Sequence, residues 1–257
     1  MSVMTDRPLA GHWVVVTGGS KGIGQAIGRR LASAGANVVL VARGRSALDE
    51  ATLALRKDLD DRQQVLGIVA DMADTGSIDA LFDTLRTELP HLNVFVANAG
   101  TGHLTPFLEL SPGERDGVVG LNFVGAIHGM QRAAQLMVER PVEHQTIVAV
   151  SSIRALGAKP GRLIYAATKA GLNQAIRVAA VELAPHGIRV CGVSPGITET
   201  PLTAAHPDAF ADAVRHVPLG RAGQPQDLAE AAYFLCSPQA RFITGANLVV
   251  DGGESLA

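Results

Sequence analysis

Seven short runs of β-branched and apolar residues constrain this chain more than any other feature. They are WVVVT (13–17), NVVLVA (37–42), QVLGIVA (64–70), NVFVAN (93–98), TIVAVSS (146–152), IRVCGVS (188–194) and NLVVD (247–251). Between them lie stretches with helical spacing, near 23–34, 45–58, 75–88, 112–139, 163–184 and 225–236. A strand that is apolar along its whole length cannot leave one face in water, so these strands belong in a parallel sheet covered by helices on both sides. The expected architecture is α/β, doubly wound and of Rossmann type. It is a single domain over residues 11–257 with a seven-stranded parallel sheet flanked by helices, after an N-terminal tail at 1–10. With 257 residues, 47% of them hydrophobic, the chain can bury one large core but is short for two. Segment 199–224, with its prolines and histidines, is the one long irregular insertion and is expected to be a substrate lid. In open sheets of this kind ligands gather beyond the carboxyl ends of the strands, near the point where strand order reverses.

Composition removes several classes of partner. A formal net charge of −2 supplies neither a basic stripe for a nucleic-acid backbone nor a polybasic run for a lipid surface. The opening MSVMTDRPLA has no apolar stretch long enough for a signal peptide, and the other apolar runs are strand-length, far below a membrane span. A soluble, cytoplasmic protein is expected. Cys191 and Cys236 sit in apolar runs without metal-type spacing and read as reduced core residues. The eight histidines make no H-x-x-x-H pair or Cys/His cluster, so no metal is implied.

The first strand run leads directly into TGGSKGIG, Thr17 to Gly24, and then into a helical stretch. Glycines there let backbone N–H groups approach an anion while the helix N-terminus supplies about half a positive charge. The ligand should be a phosphate. Gly18, Gly22 and Gly24 are spaced G-x-x-x-G-x-G, which matches neither the G-x-G-x-x-G dinucleotide fingerprint nor a Walker loop, so a purely structural tight turn stays open on this motif alone. The second strand run ends LVARGR, with Ala42 where a ribose-binding carboxylate would stand and Arg43 directly after it. Arg43, Arg45 and Lys21 converging on one point suit a 2′-phosphate, which favours NADP(H) and leaves NAD(H) possible.

Tyr165 and Lys169, in YAATK at the start of the helical stretch 163–184, are four apart and share a helical face. A cation beside a phenol lowers its pKa by roughly 1–3 units, which would make Tyr165 a usable acid near neutrality. Ser152 ends the fifth strand run, where its hydroxyl would meet a substrate carbonyl oxygen, and Asn122 in LNFVG offers an amide from a neighbouring helix. No histidine or carboxylate is placed by sequence to make Ser152 a nucleophile.

These motifs, in this order, resemble the short-chain dehydrogenase/reductase family from about Gly11 to Gly253, and within it are similar to 3-oxoacyl carrier-protein reductases. TGGSKGIG looks like the family's cofactor loop, including Ser20 and Ile23; Asn98, Ala99 and Gly100 resemble the motif closing the fourth strand; Asn122, Ser152, Tyr165 and Lys169 fall where the catalytic tetrad falls; and SPGITETPL resembles the segment over the nicotinamide. The resemblance implies that Asp71 and Met72 hold the adenine. It also implies that Pro195 and Gly196 lie in the segment over the nicotinamide and that Thr198 or Thr200 holds the carboxamide or the pyrophosphate. Tyr165 would exchange a proton with the substrate oxygen and Ser152 would hydrogen-bond that oxygen. Lys169 would acidify the phenol and hold the ribose, and Asn122 would anchor a water. Thr198 stands where an aliphatic residue is usual in the family.

The substrate is expected to be a small carbonyl or secondary alcohol, carrier-bound or free. The candidate cleft is lined by Leu104, Phe107, Ile153, Leu156, Leu163 and Leu202 with His103, Arg154, Lys159 and Arg162. A ketone or 3-oxoacyl thioester reductase and a secondary-alcohol dehydrogenase remain rivals, with a non-catalytic nucleotide sensor as the reading from another class. The small-residue stripe Ala167, Gly171, Ala175 and Ala179, joined to the family resemblance, implies a homotetramer or homodimer.

Overall fold

The structure, a computed structural model, describes residues 7–257. Seven strands form one parallel sheet: β1 (Trp13–Thr17), β2 (Asn37–Ala42), β3 (Val65–Val69), β4 (Val94–Ala97), β5 (Thr146–Val150), β6 (Arg189–Pro195) and β7 (Asn247–Val250). Their order is β3-β2-β1-β4-β5-β6-β7, so the winding reverses between β1 and β4. Helices α1 (Gly22–Ser33), α2 (Arg45–Arg56) and α3 (Thr75–Glu88) make the crossovers of the first half. The second half uses α4 (Pro112–Val119), α5 (Ala126–Glu139), α6 (Leu163–Leu183), α7 (Pro201–Ala204), α8 (Pro207–Arg215) and α9 (Pro225–Cys236).

Alternate residues of each strand feed two separate cores, as the pleat demands. Trp13 and Val15 join Phe82, Phe95, Met130, Ile147 and Ile176 on the face covered by α3, α5 and α6. Val14 and Val16 join Ile27, Leu31, Leu40, Leu228 and Cys236 on the face covered by α1, α2 and α9. Full burial of each large apolar side chain contributes roughly 1.5–3 kcal/mol, and the two cores hold the sheet rigid between them. Cys191 and Cys236 are free and fully buried, and burial pushes the Cys236 thiol up to about 12. Residues 7–10 already belong to the fold: Leu9 is fully buried and its N–H donates to the Ala34 carbonyl at 3.0 Å. The first six residues of the expected tail lie outside the described residues.

Two expectations change. The stretch 112–139 is not one α-helix, because a π-helical turn at Gly120–Gly125 separates α4 from α5. Segment 199–224 is not irregular throughout. Thr200 caps α7 by accepting from the Thr203 N–H, and Pro201 and Pro207 sit near the starts of α7 and α8, where a missing N–H costs nothing. No described helix is long and apolar enough to cross a membrane.

Candidate active site

The loop after β1 occupies the reversal point of the sheet. Gly18 and Gly22 have φ of +64° and +58°, which glycine adopts without steric cost, and a Cβ at Gly24 would run into the Gly18 carbonyl and the Asn98 amide. No side chain caps α1, so its first N–H groups stay available to an anion at the positive end of the helix. The loop is braced from behind by Thr17, a residue sequence reasoning quoted but did not single out. Thr17 Oγ1 donates to the Val96 carbonyl at 3.1 Å and accepts from the N–H groups of Asn98 and Ala99, both at 3.0 Å. Asn98 Nδ2 completes the clamp by donating to the Thr17 carbonyl at 2.8 Å. This cradle, running through Ser20, Lys21 and Ile23 to Gly24, fits a dinucleotide diphosphate.

No carboxylate ends β2. Buried Ala42 is followed by Arg43, whose exposed guanidinium lies 3.8 Å from Asp71, and by Arg45, 3.9 Å from Asp49. Lys21 is exposed at the mouth of the loop. Asp71 and the buried Met72 follow β3 on the same edge of the sheet. The structure also separates the two threonines. Thr200 lies against Gly22, whose added Cβ would be 3.6 Å from it, whereas Thr198 is buried and turns its hydroxyl back to the Gly196 carbonyl at 3.0 Å. Thr200 is the one that faces the cofactor loop.

Ser152 is buried just beyond β5, and Tyr165 and Lys169 occupy successive turns at the start of α6. Ser152 and Tyr165 line the same cleft. Lys169 is only 5% exposed; its Nζ donates to the Val150 carbonyl at 2.8 Å and lies 5.9 Å from the centre of the Tyr165 ring. The expected acidification of the phenol by this lysine is therefore corrected. Burial raises the Tyr165 hydroxyl above its ordinary value, while the Ser152 hydroxyl, Arg162 and Arg154 pull it down. Burial also brings Lys169 down to about 8. In this state the cations acting on the phenol are two arginines, and the lysine is engaged with the backbone.

Asn122 also differs from the amide expected to be on offer. It is fully buried in the π-helical turn, with Oδ1 accepting from the Thr101 N–H and Nδ2 donating to the Thr101 carbonyl, both at 2.8 Å. Its side chain is consumed in holding the segment after Asn98, Ala99 and Gly100, and a π-turn is a common way to aim a side chain at such a junction. Glu254, near the end of the sequence and unmarked by any motif, closes the other side. Its buried carboxylate accepts from the Ile197 N–H at 2.6 Å and pairs with Arg154.

The cleft is open at its mouth and spans about 800 Å³ with the open solvent there included. Ile153, Arg154, Lys159, Arg162 and Leu202 line it as expected, together with Pro195 and Gly196. Leu104, Phe107, Leu156, Leu163 and His103 do not; His103 instead pairs with Glu114 at 3.3 Å, and Leu104 packs against Gly161.

A phosphate cradle at the switch point, opening toward a serine, a tyrosine and a buried lysine, defines a nicotinamide-dependent oxidoreductase. The family model described as enoyl-(acyl carrier protein) reductase matches residues 18–255. The chain belongs to the short-chain dehydrogenase/reductase family. It is 36% identical over 251 residues to 3beta-hydroxysteroid dehydrogenase 1 of Eggerthella lenta, covering 96% of this chain and 95% of that one. It is 39% identical over 243 residues to cis-4-hydroxycyclohexanecarboxylate dehydrogenase of Sinomonas cyclohexanicum, covering 93% and 94%. The crystal structure of a short-chain type dehydrogenase/reductase from Mycobacterium marinum superposes with a TM-score of 0.93 at 30% identity over all of both chains.

Proposed function

We propose that this enzyme interconverts a secondary alcohol and its ketone, prefers NADP(H) over NAD(H), and acts in the cytoplasm as a homodimer or homotetramer. The observation that carries the reading is the meeting of Ser152 and Tyr165 in one cleft, with Lys169 buried a helical turn behind them. The nicotinamide supplies or accepts the hydride when bound. Tyr165 gives its hydroxyl proton to the substrate oxygen during reduction and takes it back during oxidation. Ser152 donates to that oxygen as charge develops on it, and each donor aimed in this way contributes roughly 3–4 kcal/mol. Lys169, buried a helical turn behind the phenol, would hold the nicotinamide ribose and supply a positive charge there when the cofactor is bound. Arg43, Arg45 and Lys21 support the NADP(H) preference, since no acidic residue ends β2 to hold a free ribose hydroxyl. Segment 199–224 closes over the cleft as a lid.

A second reading within the same enzyme class is reduction of a 3-oxoacyl thioester on a carrier protein; the matching family model's description shares the acyl carrier with it but names an enoyl reductase, which acts on a carbon–carbon double bond. The two rivals differ in salt dependence, because an acidic carrier is recruited by charge and a small ketone is not. The central test is Tyr165→Phe, assayed by nicotinamide absorbance against secondary alcohols, ketones and acyl thioesters with both cofactors. Turnover is expected to fall at least a thousandfold while NADPH binding is retained. Turnover within tenfold of the parent enzyme would remove Tyr165 from the chemistry.

A further inference from the structure

The chemistry of the substrate is narrowed by charges in the cleft, on the assumption that the hydride-transfer reading above holds. Arg154, Lys159 and Arg162 line the cleft beside Tyr165, His206 joins them from the connection between α7 and α8, and no aspartate or glutamate lines it. The three cations are not equivalent. Arg154 is already satisfied by the buried Glu254 carboxylate. Arg162 is half-buried and donates through Nη1 to the His103 carbonyl at 2.8 Å, but among the described residues no carboxylate lies within the 4.0 Å of an ion pair, for it or for Lys159.

The position of Arg162 is unfavourable for an unpaired cation. Burial opposes its charge, an ionised Tyr165 would favour it, and the neighbouring Arg154 opposes it, with burial the largest of the three. It also stands at the N-cap of α6, whose first turn has no side-chain cap and carries the positive end of the helix dipole. A bound anion relieves the burial, the Arg154 repulsion and the dipole at once, and a planar guanidinium offers a carboxylate two parallel hydrogen bonds. Arg162 and Tyr165 are three residues apart at the start of one helix, where Cβ atoms are separated by roughly 5–6 Å. The anion and the reacting oxygen are therefore read one helical turn apart. An acidic carrier protein would be met by cations on the rim, whereas Arg162 is recessed against the phenol.

We infer that the substrate is a compact hydroxy acid or the corresponding oxo acid, and that Arg162 reads its carboxylate. Ile153, Leu202 and Phe210 supply the apolar walls for the carbon skeleton between the two polar ends. The wall and the guanidinium together specify an anion with a hydrocarbon body rather than a polyol.

Two measurements test this separately from the hydride chemistry. Calorimetry of the protein saturated with NADP⁺ is run with cyclohexanecarboxylate and with cyclohexanecarboxamide, which share shape and differ in charge. The carboxylate is expected to bind at least tenfold more tightly, with the preference lost in Arg162→Gln and partly kept in Arg162→Lys. Equal binding of the two probes to the wild-type protein overturns the inference whether or not either variant folds. Kinetics on hydroxycyclohexane carboxylates and their amides should give the same tenfold preference in kcat/KM. Preferential reduction of carrier-bound over free 3-oxoacyl thioesters, with no carboxylate preference, also overturns it. Tight carboxylate binding without turnover of any alcohol or ketone would sustain the assignment of Arg162 and defeat the proposed hydride transfer instead.

Discussion

Lys169 carries a charge in a place that water does not reach, and the fold bears the cost. Its pKa of about 8 in the folded protein lies below the ordinary 10.5, a displacement worth roughly 3 kcal/mol. Because the folded value is the lower one, this destabilisation is fully present below pH 8 and is relieved as pH rises toward 10.5. Lys169→Met removes the buried charge and forfeits one hydrogen bond to the Val150 carbonyl, which contributes about 1 kcal/mol. The variant should be inactive yet more stable than the parent by about 2 kcal/mol at pH 7, with the gain fading by pH 10. Urea unfolding midpoints at the two pH values check this, and a variant less stable at pH 7 would refute it. The pair Tyr165 and Lys169 was legible in the sequence because helix periodicity puts residues four apart on one face, and Ser152 because it ends the fifth apolar run. Which cation acts on the phenol was not, because Arg154 reaches it from a separate turn, and the three-residue spacing of Arg162 and Tyr165 does not show that burial would leave these arginines acting on the hydroxyl.

At the scale of elements, each expected strand matches an observed one within two residues, since fully buried parallel strands write uninterrupted apolar runs. The π-turn at Gly120–Gly125 was invisible, because one extra residue in a helical stretch hardly disturbs its periodicity. Its placement rests on Gly125, where an added Cβ would strike the backbone carbonyl of Met72. Neither side of that contact is a flexible side chain, so the turn or the end of β3 must move. Gly125→Ala should therefore cost about 1–3 kcal/mol or more. A denaturation midpoint matching wild type would show that the π-turn relaxes freely. The two short helices inside 199–224 were missed for a different reason. α7 and α8 are too brief for a period to show, and only their capping residues and prolines mark them.

For the whole molecule, the doubly wound architecture followed from the alternation of runs. The small-residue stripe on α6 reads as a surface for another helix, of this chain or of another copy, and at Gly171 it lies against the Phe123 ring of the same chain, to which an added Cβ would come within 2.8 Å. Large apolar side chains stay exposed toward the end of α6 and beyond it. Val181 is 76% exposed, Phe242 is fully exposed, and Leu248 and Val249 stand on the open edge strand β7. Gly245, just before β7, comes within 3.5 Å of Ala180 on α6, counted from its would-be Cβ, so the edge strand runs past the end of α6 that carries Val181. An apolar patch running along an unpaired sheet edge is a liability for a monomer and a foundation for an assembly. We propose that a second copy of the chain covers it. Light scattering should give a mass of two or four chains for the wild type. Val181→Glu combined with Phe242→Asp should shift that mass to one chain while leaving the far-ultraviolet dichroism unchanged, because both side chains point into solvent in the single subunit. A wild-type protein that stays monomeric at tens of micromolar would exclude this surface as an interface between copies.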